Sequence, residues 1–323
     1  YACTSLTSIE IPGSVTSIGD CAFECCSGLT SVVIGDGVTS IGEGAFSRCP
    51  GLTSIVIPNS VVSIGDYAFS DCTSLEDLRF EDGESILYLD SMHGCLELFS
   101  DCPIETLYLG RTLSRYSSDG YGASSFPNLT SVTIGNSVTS IIYGMFYGCT
   151  GLTSIEIPGS VTSIGWCAFE GCTGLTSIEI PGSVTSIGGN AFAGCTGLTS
   201  IVIPNSVTNI GRNAFCGCTA LTSIVIPNSV TNIGQDAFCG TVWYENLPDG
   251  VVYAGKVLYG YKGSMPANTS ITVKEGTLSI TGFAFYGCTG LTSIEIPNSV
   301  VSIGDYAFSG CGLTSIEIPN SVT

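Results

Sequence analysis

One unit of 23 residues recurs along most of the chain, and this periodicity constrains the fold more than any other feature. A fixed period of about 20 to 50 residues is the signature of a solenoid. A unit this short cannot bury its own apolar side chains, so neighbouring coils must cover one another and form one extended core. The repeat is marked by phenylalanines spaced 23 residues apart within three groups: Phe23, Phe46 and Phe69; Phe146, Phe169, Phe192, Phe215 and Phe238; Phe285 and Phe308.

Within a unit, the spacing L-x-x-I-x-I predicts a strand that stacks on its neighbours at about 4.8 Å. A Pro-Asn or Pro-Gly pair after the strand, as at Pro58-Asn59 and Pro158-Gly159, predicts a tight turn. The alternation in "SVTSIG" then predicts a short second strand, and "DYAFSGC" predicts a single helical or 3₁₀ turn. The units that carry a first strand are centred on Ile9, Val32, Ile55, Leu78, Leu107, Val132, Ile155, Ile178, Ile201, Ile224, Ile271, Ile294 and Ile316.

The full unit, "LTSIxIPxSVTSIGxxAFxGC", resembles the BspA-type leucine-rich repeats of bacterial cell-surface proteins, which are also numerous in some parasitic protists. The resemblance covers nearly the whole chain. It implies an extracellular or cell-surface domain used for adhesion to host proteins or other cells, and it brings no catalytic residues. We therefore predict a mainly β, right-handed leucine-rich-repeat solenoid of 23-residue coils, forming a single domain over residues 1–323.

Two stretches depart from the repeat. Residues 76–128 contain the extra sequences "EDGESILYLDSMHGC" and "SRYSSDGYGASS", which predict enlarged coils with loops. Residues 241–268 contain "VVYAGKVLYGY", which predicts an inserted β-hairpin turning around Ala254-Gly255-Lys256. Insertions in solenoids usually lie on one face, often the binding face. The alternative is a spacer hairpin that only keeps the coils in register.

Charge and hydropathy argue against several classes of partner. The chain has 27 acidic and eight basic residues, a formal net charge of −19, which would repel nucleic acid and anionic membranes. No apolar run approaches the roughly 20 residues that span a bilayer, so we expect a soluble chain without membrane insertion. Tyr1 and Thr323 both fall within a repeat, so we expect a slice of a longer protein whose signal or anchor segments lie elsewhere.

The 17 cysteines are an odd number and cannot all pair within the chain. Cys216 and Cys239 lie one period apart in another column, where a disulfide is geometrically allowed, and the sequence leaves that pairing open. Cys95 lies beside the only histidine, His93, but the two fall short of a zinc site or a thiol-protease site. Eleven cysteines share one repeat position and are expected to be reduced packing residues: Cys3, Cys26, Cys49, Cys72, Cys102, Cys149, Cys172, Cys195, Cys218, Cys288 and Cys311.

Paired carboxylates are the remaining chemical possibility. Glu156 and Glu179 share one strand position in adjacent coils, as do Glu295 and Glu317, so each pair should lie about 5 Å apart. That spacing suits a retaining glycosidase, but a regular sheet supplies neither a cleft nor unlike environments for the two acids. We expect a solvated acidic stripe, with a weak Ca²⁺ site as the intermediate alternative. No catalytic residue, metal site or cofactor is predicted.

Side chains between the two Ile positions of a strand should point away from the core and line the outer, concave surface of the sheet. We predict partner contacts in this column at Arg79, Tyr108, Val202 and Val225. The column varies systematically from coil to coil: Glu10, Val33, Val56, Arg79, Tyr108, Thr133, Glu156, Glu179, Val202, Val225, Thr272, Glu295 and Glu317.

Aromatic residues concentrate around the hairpin, and Trp243, Tyr244, Tyr259 and Tyr261 are predicted to be further partner-binding anchors. The alternative is that they pack on the flank of the solenoid. The sequence thus predicts a non-enzymatic surface domain that binds protein or glycan partners. A structural module that assembles end to end through its solenoid ends is the competing hypothesis. Sequons at Asn128 and Asn268 would carry glycans only in a eukaryotic secretory pathway.

Overall fold

A computed structural model describes residues 3–89, 98–115 and 126–323. His93, Cys95 and most of the "SRYSSDGYGASS" loop lie outside these residues. The described chain forms a nearly all-β parallel solenoid of about 12 turns, which confirms the predicted mainly β repeat architecture. A typical interior coil presents a first strand, a tight turn, a short second strand and a further pair of turns.

The first strands follow the L-x-x-I-x-I pattern, and the alternation decides which side chains enter the core. In the coil of Ile55, Ile55 and Ile57 are buried while Ser54 and Val56 are exposed. Ten such strands form: β1 (Ser8–Ile11), β3 (Ser31–Ile34), β5 (Ser54–Ile57), β7 (Asp77–Phe80), β9 (Thr106–Leu109), β11 (Ser131–Ile134), β15 (Ser200–Val202), β17 (Ser223–Val225), β21 (Thr269–Thr272) and β23 (Leu291–Glu295).

These strands pair in parallel between adjacent coils, as in the sheet β5-β7-β9-β11. The prediction of regular strands at Ile155, Ile178 and Ile316 is wrong, because those described segments form none. Ile155 and Ile178 are nevertheless buried. Glu156 and Glu179 would face each other across that pair, and like charges in opposite positions destabilise strand pairing.

The second strands are short and form parallel sheets of their own, such as β12-β13-β14-β16-β18. Their isoleucines point into the core, as Ile164 and Ile187 do. They are β2 (Ser17–Ile18), β4 (Ser40–Ile41), β6 (Ser63–Ile64), β8 (Leu87–Leu89), β10 (Leu113–Arg115), β12 (Ser140–Ile141), β13 (Ser163–Ile164), β14 (Ser186–Ile187), β16 (Asn209–Ile210), β18 (Asn232–Ile233), β20 (Val257–Lys262), β22 (Ser279–Ile280) and β24 (Ser302–Ile303).

The third side of the regular 23-residue coils consists of turns, so the predicted helical or 3₁₀ turn at "DYAFSGC" is wrong in those coils. Two residues per coil adopt the left-handed conformation there, as Tyr67 (φ 56°) and Asp71 (φ 57°) do. Such residues interrupt a right-handed helix. The backbone instead bonds to the next coil, where Phe46 N–H donates to the carbonyl of Ala68 at 2.7 Å.

Phenylalanine rings stack in a ladder through the core. The centroids of Phe169 and Phe192 are 5.2 Å apart, with an interplanar angle of 4°. The expectation that every member of the phenylalanine and cysteine columns points into a closed core holds for the interior coils only. Cys3 is exposed, and several members in the outer coils are half-buried because fewer neighbouring coils cover them: Phe23, Cys288, Phe308 and Cys311.

The insertion contains a short helix, α1 (Val242–Glu245), followed by the predicted hairpin. Strand β19 (Gly250–Ala254) pairs antiparallel with β20, and β20 also pairs in parallel with β22. The hairpin therefore supplies a second strand where the repeat would have placed one. The outer column of first strands is interrupted at the same point, since β17 and β21 belong to separate sheets.

Candidate partner-binding site

Arg79 and Tyr108 lie opposite each other on the outer face of the first strands. They are register partners in the parallel pair β7 and β9. The guanidinium carbon of Arg79 lies 3.7 Å from the centroid of the Tyr108 ring, close enough for a cation–π contact. Arg79 is exposed and Tyr108 is half-buried. The structure thus brings together two of the residues that the sequence predicted as partner contacts.

The Tyr108 ring is held in place by Asp82. Its hydroxyl donates to the Asp82 carboxylate, with Oδ1 at 2.7 Å and Oδ2 at 2.9 Å. This hydrogen bond is the main reason that the pKa of Tyr108 is raised. Gly135 leaves room for the contact, because a Cβ there would lie 2.7 Å from Asp82 Oδ1 and 3.3 Å from Tyr108 Oη. Asp82 thus holds the hydroxyl end of Tyr108, and Arg79 lies over its ring. We call Arg79, Tyr108 and Asp82 together the Arg79 platform.

A buried arginine supports this arrangement from within the core. Arg111 is 0% exposed. Its Nη1 donates to the carbonyls of Asn59 at 2.9 Å and Val61 at 2.7 Å, and its Nη2 donates to that of Pro58 at 2.8 Å. Desolvation lowers the pKa of Arg111. Three carbonyls of one turn are thereby satisfied by a single guanidinium.

The turn that Arg111 holds contacts Asp82. Asn59 Nδ2 donates to the Asp82 carbonyl at 3.2 Å, and the Asn59 N–H donates to Glu81 at 3.3 Å. A continuous set of contacts thus runs from Arg111 through Asn59 and Asp82 to Tyr108 and Arg79. Sequence reasoning missed Asp82 and Arg111, although both stand where other coils carry the second residue of the Pro-Asn or Pro-Gly turn.

Arg79 has no internal counter-ion among the described residues: none of its guanidinium nitrogens lies within 4.0 Å of a carboxylate oxygen. Among the described residues, Arg48 forms two ion pairs, with Glu24 at 3.4 Å and Asp71 at 3.7 Å. Arg79 is thus an exposed arginine on a strongly acidic protein. An exposed, stacked and unneutralised guanidinium is suited to binding a carboxylate.

Val202 and Val225 form a second exposed feature on the same column. Their side chains are 65% and 56% exposed, and they are register partners in β15 and β17. They line an open groove of about 440 Å³ together with Pro204 and Pro227. Its lining residues include no charged group.

Tyr259, which the sequence predicted to anchor a partner, is buried in the solenoid. Tyr259 is 9% exposed, and its hydroxyl accepts a hydrogen bond from the backbone N–H of Phe238 at 3.1 Å. Burial raises the pKa of Tyr259. This tyrosine therefore serves as a core residue that joins the hairpin to the preceding coil.

The other hairpin aromatics are half-buried and also pack on the solenoid. The Trp243 ring contacts Phe238 edge-on at 5.1 Å, and the Tyr244 ring meets Tyr259 at 5.8 Å. Tyr261 packs against the core of the C-terminal coils. The structure favours the alternative in which these residues cover the flank, and it separates them from the Arg79 platform.

The cysteine column is hydrogen-bonded packing. The thiols of Cys172, Cys195 and Cys218 each donate to the carbonyl of a phenylalanine in the preceding coil, at 3.0, 3.1 and 3.1 Å. Burial raises the pKa of Cys49 and of Cys218 to about 12. Thiols held protonated in this way are poor nucleophiles.

Cys216 and Cys239, the pair that the sequence left open, are joined by a disulfide between adjacent coils with their Cα atoms 4.7 Å apart. The described residues contain no group of three or more His, Cys, Asp or Glu side chains placed to hold a metal ion. Within the same residues, no helix has the length and apolar character needed to cross a membrane.

The fold and the outer-face site define a leucine-rich-repeat solenoid with a candidate recognition surface. The family model for the BspA type leucine rich repeat region matches in six copies over residues 1–125, 120–243 and 260–323. The chain therefore belongs to the BspA-type leucine-rich-repeat family.

Several solved structures are similar to this chain. A leucine-rich repeat protein from Bacteroides ovatus is 30% identical, with 96% of this chain and 71% of that chain covered, at a TM-score of 0.57. A leucine rich cell surface protein from Faecalibacterium prausnitzii is 28% identical, with 74% and 77% covered, at a TM-score of 0.39. The pneumococcal vaccine antigen PcpA is 21% identical, with 98% and 73% covered, at a TM-score of 0.45. The comparison with curated proteins finds no match.

Proposed function

We propose that this chain is a non-enzymatic binding domain of a cell-surface or extracellular protein, and that it holds protein or glycan partners on the outer face of its first strands. The observation that carries the proposal is the Arg79–Tyr108 pair, in which a repeat-breaking arginine lies over the tyrosine ring and has no counter-ion among the residues that the structure describes. In a solenoid, the residues that packing requires recur in every coil. An outward-facing residue that breaks the repeat and is held by specific contacts therefore indicates a requirement other than packing.

The disulfide supports the extracellular part of the proposal. Disulfides such as Cys216–Cys239 are typical of oxidising compartments. The remaining repeat-column thiols in the interior coils are compatible with such a compartment, because they are buried and their pKa values are raised, as for Cys49 and Cys218. Family membership points in the same direction.

The non-enzymatic part of the proposal follows from the chemistry of the described groups. The interior thiols are held neutral by burial, and the outer-face carboxylates belong to an open sheet surface. Repeat solenoids of this kind offer extended binding surfaces to their partners. Recognition by surface contact therefore accounts for the arrangement better than a reaction does.

The test uses arrays of immobilised extracellular-matrix proteins and glycans. The double variant R79A/Y108A should lose at least about tenfold in affinity for whatever the wild type binds, a loss typical of interface anchors. The matched control R212A/Y306A removes one exposed arginine and one exposed tyrosine from the turn side of the solenoid and should bind as the wild type does.

Circular dichroism establishes that both variants are folded. Equal binding by both would place the contact elsewhere, and the Val202–Val225 groove would be the next surface to alter. If the wild type binds nothing on either array and light scattering grows with concentration, end-to-end assembly replaces the binding proposal.

A further inference from the structure

We infer that Arg79 binds a carboxylate side chain of a protein partner, with the partner's apolar residues lying on Val56 and Val33. The inference rests on the proposed function and adds the chemistry of the partner. It begins from the state of the guanidinium, which is stacked, exposed and without a carboxylate within 4.0 Å among the described residues.

The contact with Tyr108 occupies the face of the Arg79 guanidinium, so the N–H groups at its edge remain for a partner. A guanidinium on an aromatic ring uses its face for the contact, while its N–H donors lie in its plane and point outward. In-plane donors match the two oxygens of a carboxylate and form paired, charge-assisted hydrogen bonds. Asp82, the acid closest to the platform along the contact network, already accepts the Tyr108 hydroxyl. Tyr108 therefore orders the Arg79 side chain, while Asp82 binds the tyrosine hydroxyl.

The neighbouring side chains favour a protein over an acidic sugar. Val56 is the register partner of Arg79 on β5, and Val33 lies on β3, one coil further. They are 42% and 53% exposed. Adjacent coils are about 4.8 Å apart, so an apolar strip begins directly beside the cation. An Asp or Glu side chain followed by apolar side chains satisfies both features, whereas a sugar acid satisfies only the first.

The net charge of the whole chain limits how many carboxylates a partner can carry. A net charge of −19 repels an acidic tract at long range. A partner with a single carboxylate among apolar residues experiences little of that repulsion and still gains the contact with Arg79. The surrounding acids then reject partners that present further carboxylates, so specificity comes from repulsion as well as attraction.

The experiment uses a phage-displayed library of random dodecapeptides selected on the full chain. We expect selected sequences to carry one Asp or Glu at a common position, beside apolar residues. Synthetic peptides with Glu or Gln at that position are then compared on wild type, R79Q and R79K, and on R212Q, which removes the same charge from the turn side. Binding constants for each pair form a double-mutant cycle.

The Glu→Gln peptide and the R79Q variant should each lose at least about tenfold, and combining them should add little further loss. R79K, which keeps the charge but loses the paired donors, should also be weaker than wild type. R212Q should match wild type. Peptides that bind but ignore both changes would overturn the carboxylate assignment and leave the proposed function standing.

Glycan binding is measured as well, to separate a sugar ligand from a protein ligand. Sialyllactose and lactose form a matched pair that differs by a carboxylated sugar. Binding of sialyllactose through Arg79, with no peptide selected, would overturn the assignment to a protein partner. A chain that selects no peptide and binds no glycan or matrix protein would overturn the proposed function itself.

Discussion

The thiol of Cys195 donates a hydrogen bond to the backbone carbonyl of Phe169, 3.1 Å away in the preceding coil. The same bond joins Cys172 to Phe146 and Cys218 to Phe192. Each of these carbonyls also accepts the backbone N–H of the cysteine three residues later, as Phe169 does from Cys172 at 3.1 Å. The thiol therefore adds a second hydrogen bond, between coils, to the space that its side chain fills.

Replacing Cys195 by Ala should lower the free energy of unfolding by about 1 to 2 kcal/mol, because the Phe169 carbonyl loses one of its two donors and a small cavity forms. Urea unfolding followed by circular dichroism measures the change. Cys21→Ala is the control, since Cys21 is exposed, and its stability should match that of wild type. Equal stability of the two variants would mean that neither the hydrogen bond nor the volume of the Cys195 thiol stabilises the fold.

The same thiols should make the protein sensitive to alkali. The unfolded chain ionises a thiol from about pH 8.5, whereas folded Cys218 stays neutral until its pKa of about 12. The stability that this raised pKa provides is complete below about pH 8.5 and is lost as the pH rises towards 12. Each such thiol steepens the loss by about 1.4 kcal/mol per pH unit. Cys218→Ala should therefore lose less stability between pH 8 and pH 10 than wild type does, and parallel curves would contradict the assignment.

Arg111→Leu should destabilise the fold by about 2 to 3 kcal/mol, because the carbonyls of Asn59 and Val61 lose the guanidinium as donor and that of Pro58 keeps only the Val61 N–H. Removing the exposed ion pairs of Arg48 by Arg48→Ala should leave stability nearly unchanged. Chemical denaturation compares the two. An Arg111→Leu variant as stable as Arg48→Ala would show that the turn holds its shape without the guanidinium.

Reduction should destabilise the coils around Cys216 and Cys239. The disulfide closes a segment of 23 residues, for which chain-entropy arguments give about 3 kcal/mol. The melting temperature should fall on adding reductant to wild type and should not respond in C216S/C239S. Thiol titration of the denatured, unreduced protein should find at least 11 free cysteines. A count of three or fewer would show that the repeat column is cross-linked.

Tyr259→Phe tests the reassignment of the hairpin. Removing the hydroxyl leaves the buried N–H of Phe238 without its acceptor and should cost about 1 to 3 kcal/mol. Binding to any partner found for wild type should be unchanged. Tyr306→Phe, at an exposed tyrosine, is the control for loss of a hydroxyl. Loss of binding without loss of stability would show that Tyr259 contacts the partner.

The sequence by itself determined the architecture. A 23-residue period with constant Leu, Ile, Ala, Phe and Cys positions leaves stacked coils as the way to bury those side chains, so the core columns follow from spacing alone. The hairpin at 250–262 was also predictable, since two β-rich runs flank Gly255. Local alternation decides which side chains point outward, which is why Arg79 and Tyr108 were recognised as exposed candidates.

The tertiary structure decided what the local pattern cannot encode. Arg111 reaches a turn 50 to 53 residues earlier in the chain, and Tyr259 accepts a hydrogen bond from a coil 21 residues before it. Such contacts depend on how the enlarged and inserted coils pack on their neighbours, and the 23-residue period does not predict them. The turns with left-handed residues that replace the predicted helical turn share their backbone hydrogen bonds between their own coil and the next, as Ser70 N–H to Tyr67 and Phe46 N–H to Ala68 show. The sequence thus placed Arg79 and Tyr108 on one surface, whereas the packing of the irregular coils brought the guanidinium over the tyrosine ring at 3.7 Å.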